Sequence, residues 1–353
     1  MLFRSGRPVS PQRRLFILRA LGLGDFLTGV PAYRALRAAY PEHQIVLAAP
    51  GSLASLAALT GAVDRVLPTG ELRPIRWVGP PPAVAVDLHG NGPASHNLVR
   101  AVSAKTTMMY ASAADADVAG PRWADGEHEV DRWCRLLEWY GVPADRSALR
   151  LSRPQPSPRV RQAVVLHPGA ASPSRRWPPE RFAAVAHALA AAGERVVITG
   201  TIAERPVARR VAKAAGLGNE SVLAGQTALP GLAALVAAAS LVISNDSGVA
   251  HLAVAYGIPS VALFGPVSPA LWGAPAGIRR HMALWKGAGD RPGDPHGNQV
   301  DPRLLEIRVG DVLEGVRKVQ DFRRPLITRR NGAPGRSAAG PRAAAASFPR
   351  DRG

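Results

Sequence analysis

SLVISNDSGVAHLAVAYGIPSVALFGP, Ser240–Pro266, reads as strand, turn, helix, turn and strand. Leu241–Ser244 is a short apolar, β-branched run of the kind buried inside a parallel sheet. Asn245-Asp246-Ser247-Gly248 carries turn and helix-start chemistry. Val249–Tyr256 keeps helical spacing until Gly257 and Pro259 stop it, and Ile258–Phe264 is the next buried strand. A βαβ unit of this form sets the Asp-Ser-Gly turn at the carboxyl end of a strand, where open α/β sheets bind ligands.

That turn suits a diphosphate. Backbone N–H groups at Ser247, Gly248 and Val249 would project from the helix start, with the positive end of the dipole behind them. Gly248 lets the backbone approach a ligand, Ser247 adds a hydroxyl donor, and His251 shares the helix face with Ser247. The plainer alternative makes Asp246 or Ser247 a helix cap and His251 a satisfied polar residue.

Working outward, strand–helix alternation fills both halves of the chain. Leu15–Ala20 is a first strand, Leu21-Gly22-Leu23-Gly24-Asp25 a Gly-rich turn, and Phe26–Tyr40 a helix. The G-x-G-x-x-G dinucleotide pattern fails, because Leu27 stands where the third Gly belongs. Asp25 has two readings, an N-cap for the helix or a general base in a cleft between domains. Ala83–Leu88 is a strand ending in His89-Gly90-Asn91-Gly92, which makes His89 and Asn91 candidates for contact with an acceptor alongside Gly24. Ser52–Leu59 reads as a short helix capped by Ser52, and Glu127–Tyr140 as an amphipathic helix with Trp133, Leu136, Leu137 and Tyr140 towards the core. Asp115-Ala116-Asp117 is a D-x-D pair, either a metal-holding motif or a solvated turn. In the second half, His167-Pro168-Gly169-Ala170 and Gly200 end two further strands, and Glu204 opens the helix Ile202–Ala215. The pattern predicts an α/β protein of two Rossmann-like parallel-sheet domains facing a cleft. The divisions are a disordered basic lead over 1–14, an acceptor-side domain over 15–150, a Pro-rich linker over 151–161, a nucleotide-sugar domain over 162–322, and a disordered Arg-rich tail over 323–353.

At 353 residues and 46% hydrophobic composition, two ordinary domains have ample core. No run of about 18 apolar residues is present, which argues against a membrane-spanning helix. Arg19 interrupts the apolar run near the N-terminus and no small-residue cleavage site follows, so a signal peptide is not expected and the cytoplasm is the expected compartment. The single Cys134 excludes an internal disulfide framework. The net charge is +18, and Arg323–Gly353 holds eight Arg against one Asp. That tail is either a solvated extension or a contact for acidic lipid head groups or nucleic acid. Nothing points to specific nucleic-acid recognition.

Four stretches recur together in one known family: GLGDFLTGVPAYRALR, HPGAASPSRRWPPERF, GTIAERPVARRVA and the central unit. In this order they resemble glycosyltransferase family 9, the ADP-heptose:lipopolysaccharide heptosyltransferases, over about residues 15–320. The resemblance implies the GT-B fold. It places the family's general base on Asp25 and the cation before Trp-Pro on Arg176. Glu204 falls at the nucleotide ribose, with Gly169 and Gly200 in the nucleotide-binding turns. Asp246, Ser247, Gly248 and His251 fall at the diphosphate and sugar. It implies inverting, metal-independent transfer from a nucleoside-diphosphate sugar, ADP-linked in the family, to a saccharide or lipid-linked hydroxyl. No cofactor and no metal are expected, and peripheral association with the inner face of the membrane would suit a lipid-anchored acceptor. The competing readings are another donor sugar on the same scaffold, a nucleotide-sugar epimerase or hydrolase, and a non-catalytic basic protein bound to membrane or nucleic acid.

Overall fold

The computed structural model describes residues 13–321 apart from 156, 157, 159, 276 and 288–292. The tail over 323–353 lies outside the described residues, as does most of the lead over 1–14; Arg14, placed in that lead, already opens a strand.

Among the described residues, ten parallel strands form two five-stranded sheets. The first contains β1 (Arg14–Leu18), β2 (Gln44–Ala49), β3 (Arg65–Pro68), β4 (Val84–Asp87) and β5 (Thr106–Met108), in the order β3-β2-β1-β4-β5. The second contains β6 (Val164–His167), β7 (Val196–Ile198), β8 (Leu241–Asn245), β9 (Ser260–Leu263) and β10 (His281–Leu284), in the order β10-β9-β8-β6-β7. The central strands β1, β4, β6 and β8 are buried almost throughout, as helices on both faces of a parallel sheet require. Strand order reverses between β1 and β4 and again between β6 and β8. These are the two topological switch points, and each opens a crevice beyond its strands' carboxyl ends.

Three expected elements differ. The helix expected over Phe26–Tyr40 is two helices, Leu23–Thr28 and Val30–Ala39, parted at Gly29. A Cβ at Gly29 would lie 2.6 Å from the Tyr33 hydroxyl, so the bend is packed closely against the next turn. Because the first helix begins at Leu23 with Gly22 as its cap position, Asp25 lies inside its first turn and is not the N-cap residue. The segment from Ser52 starts as a 3₁₀ turn, Gly51–Leu53, followed by the helix Ala54–Leu59, and Ser52 makes no cap. The Asp115 carboxylate of the D-x-D pair is engaged by a neighbouring helix rather than left free in a turn. It accepts two bonds from Arg100, at 2.7 and 2.8 Å, and lies 2.8 Å from His96 Nδ1.

The two halves meet through helices. The Leu23–Thr28 helix, just beyond β1, packs on the Gly248–Tyr256 helix, just beyond β8. Their approach depends on two glycines. A Cβ at Gly248 would come within 2.7 Å of the Leu23 side chain, and one at Gly24 within 3.1 Å of His251 Cδ2. The expected core face of the Glu129–Trp139 helix is observed, with Trp133, Leu136 and Leu137 buried.

Candidate active site

Where the two helices meet, a cleft of about 590 Å³ opens, within the usual size of a ligand pocket. The first half contributes Leu21–Asp25 and Glu71. The second contributes Ala171, Arg175, Asp246, Ser247, Gly248, His251 and Trp272, with Pro295 and His296 on the loop after β10. The sequence-predicted Gly24, Asp25, Asp246, Ser247, Gly248 and His251 are thus brought to one cavity.

Ser247 occupies the cap position of the nine-residue Gly248–Tyr256 helix, yet its side chain makes no cap bond. Its Oγ is buried and has no hydrogen-bond partner among the described residues. The cap reading therefore fails for Ser247. A buried hydroxyl without a partner beside a helix N-terminus leaves a donor available to an anion. Asn245, which the motif reading did not single out, fixes the floor. Its Nδ2 donates to Pro168 O at 2.8 Å and its Oδ1 accepts from Trp177 N at 3.0 Å. The Trp177 indole, fully buried, donates to Ile307 O at 3.0 Å. The β6 and β8 turns are so locked to one another.

The residues expected at the nucleotide form a second group. Glu204 Oε2 accepts from Thr201 N at 2.7 Å and from Thr201 Oγ1 at 3.0 Å. A Cβ at Gly169 would fall 2.1 Å from Glu204 Oε1, and one at Gly200 3.1 Å from Glu204 Cβ. Gly169, Gly200 and Glu204 are therefore neighbours at the carboxyl ends of β6 and β7.

Three candidates are placed otherwise than expected. Arg176 is exposed and does not line the cleft. Its Nε and Nη2 both donate to Ala170 O, at 3.1 and 2.9 Å. The cation in the cleft is its neighbour Arg175, with Nη1 3.7 Å from Asp246 Oδ2 and Nε donating to Pro295 O at 3.1 Å. His89 and Asn91 do not line the cleft either. His89 Nδ1 accepts from Ala20 N at 3.2 Å, and the turn is held by Asp87 Oδ1, which accepts from His89 N at 2.8 Å.

The electrostatics follow from burial. Asp246, with its side chain 8% exposed, is pushed up to about 6; desolvation is the main cause, Arg175 opposes it and Asp25 adds to it. Burial takes His251 down to about 4, so it faces the cleft as a neutral imidazole. Asp25 lies above the usual carboxylate range, raised first by desolvation, lowered by Arg19 and raised again by Glu129. Its side chain keeps 28% exposure on the cleft face.

Asp246 carries a stability prediction. The folded protein holds the Asp246 proton up to a pH of about 6, whereas an unfolded Asp releases it near 3.8. Between those values the native state binds more protons, so stability falls as pH rises. Asp246→Asn removes that dependence. It is expected to stabilise the protein at pH 7.5 by up to about 3 kcal/mol, from roughly two pKa units. Thermal unfolding of both proteins from pH 4 to 8 checks this; a variant that melts no higher than wild type at pH 7.5 would refute it.

Two parallel doubly wound sheets, with a cleft that has a helix start on one side and a carboxylate on the other, have the architecture of a GT-B glycosyltransferase. Residues 99–290, more than half of the chain, match the family Glycosyltransferase family 9 (heptosyltransferase), and the chain belongs to that family. The lipopolysaccharide heptosyltransferase 2 of Salmonella typhimurium is 25% identical over 304 residues, covering 72% of this chain and 84% of that protein. Among solved structures, the E. coli ADP-heptose lps heptosyltransferase II superposes with a TM-score of 0.69 at 22% identity, covering 88% of this chain and 99% of the other. The dodecameric glycosyltransferase TibC of enterotoxigenic E. coli, described as iron-containing, superposes at 0.57 with 16% identity, over 89% of this chain and 77% of TibC.

Proposed function

We propose that this glycosyltransferase moves a heptose from ADP-heptose to a sugar hydroxyl of a lipopolysaccharide core, in one inverting displacement that needs no metal. The observation that carries this reading is the placement of Asp25 and the Ser247–Val249 helix start on opposite sides of one cleft. A base on one side and an anion site on the other fit in-line attack. Asp25 takes the proton of the acceptor hydroxyl as its oxygen attacks the anomeric carbon. The glycosidic bond breaks, and the electron pair leaves with the β-phosphate. The N–H groups of the helix start, the Ser247 hydroxyl and Arg175 offset the negative charge that builds there. Glu204 holds the ribose, with Gly169 and Gly200 giving the nucleotide room. Gly24 and Glu71 flank the acceptor.

A metal is not needed for that charge when a cation and a helix dipole already meet it. No group of three or more His, Cys, Asp or Glu side chains converges as a metal site among the described residues. The proposed units are an acceptor side over 15–150 and a donor side over 162–322, joined by 151–161. No helix among the described residues is long and apolar enough to cross a membrane, and a lipid-linked acceptor would be met by peripheral binding at the inner membrane face.

The test is incubation with ADP-β-heptose and lipopolysaccharide lacking heptose, with and without excess EDTA. The expected product is an α-linked heptoside formed at equal rates in both. A β-linked product would refute inversion, and loss of activity in EDTA restored by Mg²⁺ or Fe²⁺ would refute metal independence. ADP release without sugar transfer would favour a hydrolase.

A further inference from the structure

Arg19 is the largest charged side chain buried completely among the described residues, directly after β1, with no exposure at all. Burying a guanidinium is costly unless every donor finds a partner. Its partners converge on the Asp25 helix. Nε donates to the backbone carbonyl of Asp25 at 2.5 Å, and Nη2 donates to Thr28 Oγ1 at 3.1 Å. Nη1 donates to Leu88 O. Nη2 also pairs with Glu129 Oε1 at 2.9 Å and lies 4.0 Å from Asp25 Oδ1. The guanidinium sits 4.8 Å from the centre of the Trp133 ring.

Glu129 is committed from every side. Oε1 also accepts from Trp133 Nε1 at 2.8 Å, and Oε2 accepts from Arg132 Nη1 at 3.1 Å. The Leu23–Thr28 helix has only six residues, too few to be stable alone. What docks it is therefore what places the Asp25 carboxylate.

We propose that Arg19 is the positioning residue for Asp25, and that Glu129, fixed by Trp133 and Arg132, holds Arg19 and divides its charge between the two carboxylates. This rests on Asp25 being the general base. Arg19 grips the backbone of the Asp25 turn and sets the direction of the carboxylate. It also sets its base strength, since a cation beside a carboxylate favours the ionised form and a second carboxylate opposes it. The groups facing Asp25 are Arg19 from β1, Tyr33 from the following helix, Glu129 from the Glu129–Trp139 helix and Asp246 from across the cleft, with neutral His251 against Gly24. Tyr33 remains a neutral phenol, driven up by burial.

The test is the pH dependence of kcat/KM for heptose transfer from ADP-heptose to lipopolysaccharide lacking heptose. It is measured in an Asp246→Asn background so that only the Asp25 limb remains on the acid side. Glu129→Gln removes the opposing charge and is expected to move that limb to lower pH, by up to about one unit, with KM for ADP-heptose unchanged. Arg19→Lys keeps a cation but not the fork. It is expected to move the limb upwards and to lower kcat by roughly tenfold to a hundredfold, as a displaced carboxylate should. Acid limbs that stay at the position of the background protein, with only the melting temperature lowered, would reduce Arg19 and Glu129 to a structural tie and overturn the proposal. Should Arg19→Lys not fold, Glu129→Gln decides alone. Asp25→Asn in the same assay separates the two levels. Lost activity there, with unmoved limbs in the other variants, overturns only the positioning role; retained activity overturns the base assignment and the proposal with it.

Discussion

Asp25→Asn is expected to lower kcat by about 10²–10⁴-fold, the usual contribution of a general base. It should leave donor binding intact. The substitution is nearly isosteric, and the residue is contributed by the first half of the chain, whereas the helix start proposed to receive the diphosphate belongs to the second. Binding should even tighten slightly. The Asp25 carboxylate raises Asp246, which shows that the two negative charges feel each other across the cleft. Removing one lessens the repulsion met by an incoming dianion. Single-turnover rates with saturating ADP-heptose, together with calorimetric titration of ADP-heptose, separate these effects. A kcat within tenfold of wild type would dismiss Asp25 as the base. The pH dependence has a defined sign: Asp25 works ionised and its carboxyl is raised above the usual range, so activity is lost as pH falls through its folded value.

Much of this site is legible in the sequence because its parts are local. The central βαβ unit carries its own strand, turn and helix, and the structure keeps them as β8, the Gly248–Tyr256 helix and β9. Topology did further work. Strand alternation puts Gly24-Asp25 and Asp246-Ser247 at carboxyl ends of strands, and the switch points bring those ends together. What escapes the sequence depends on distance or direction. Arg19 reads as a flaw in an apolar run, because its partner Glu129 is 110 residues away and no periodicity links them. Glu129 itself begins a helix whose amphipathic pattern places Trp133 correctly, yet the pattern says nothing of the buried cation over that ring. His89 sits beside the β1 turn, where its Nδ1 accepts from Ala20 N, and it does not line the cleft. The D-x-D pair shows the same limit. Its spacing permits a metal, whereas Arg100 and His96, both on the helix Pro93–Arg100, take its oxygens.

Arg175→Ala is expected to lower kcat/KM by about 10²–10³-fold, the cost of losing one preorganised donor to developing charge, while Arg176→Ala costs only a few-fold. Sequence alone assigns the cation before Trp177-Pro178 to Arg176. The structure brings Arg175 rather than Arg176 to the cleft, for a geometric reason. Pro173–Arg175 is a 3₁₀ turn that leaves Arg176 in extended backbone, so two adjacent side chains leave in different directions. Arg175 enters the cleft, braced by the Pro295 carbonyl and facing Asp246 at 3.7 Å. Arg176 turns out to the surface, and both of its bonds end on Ala170 O, where they steady the turn after β6. A donor diphosphate would draw Arg175 from Asp246, whose carboxyl burial has already pushed up to about 6 and which can take up a proton more readily than a free aspartate once the cation leaves. Arg175→Lys should recover part of the loss, because the charge is kept but the fork is not. The readouts are calorimetric binding of ADP and ADP-heptose and steady-state transfer rates for all three variants. A larger defect in Arg176→Ala than in Arg175→Ala would restore Arg176 as the diphosphate ligand and show that the loop rearranges when the donor binds.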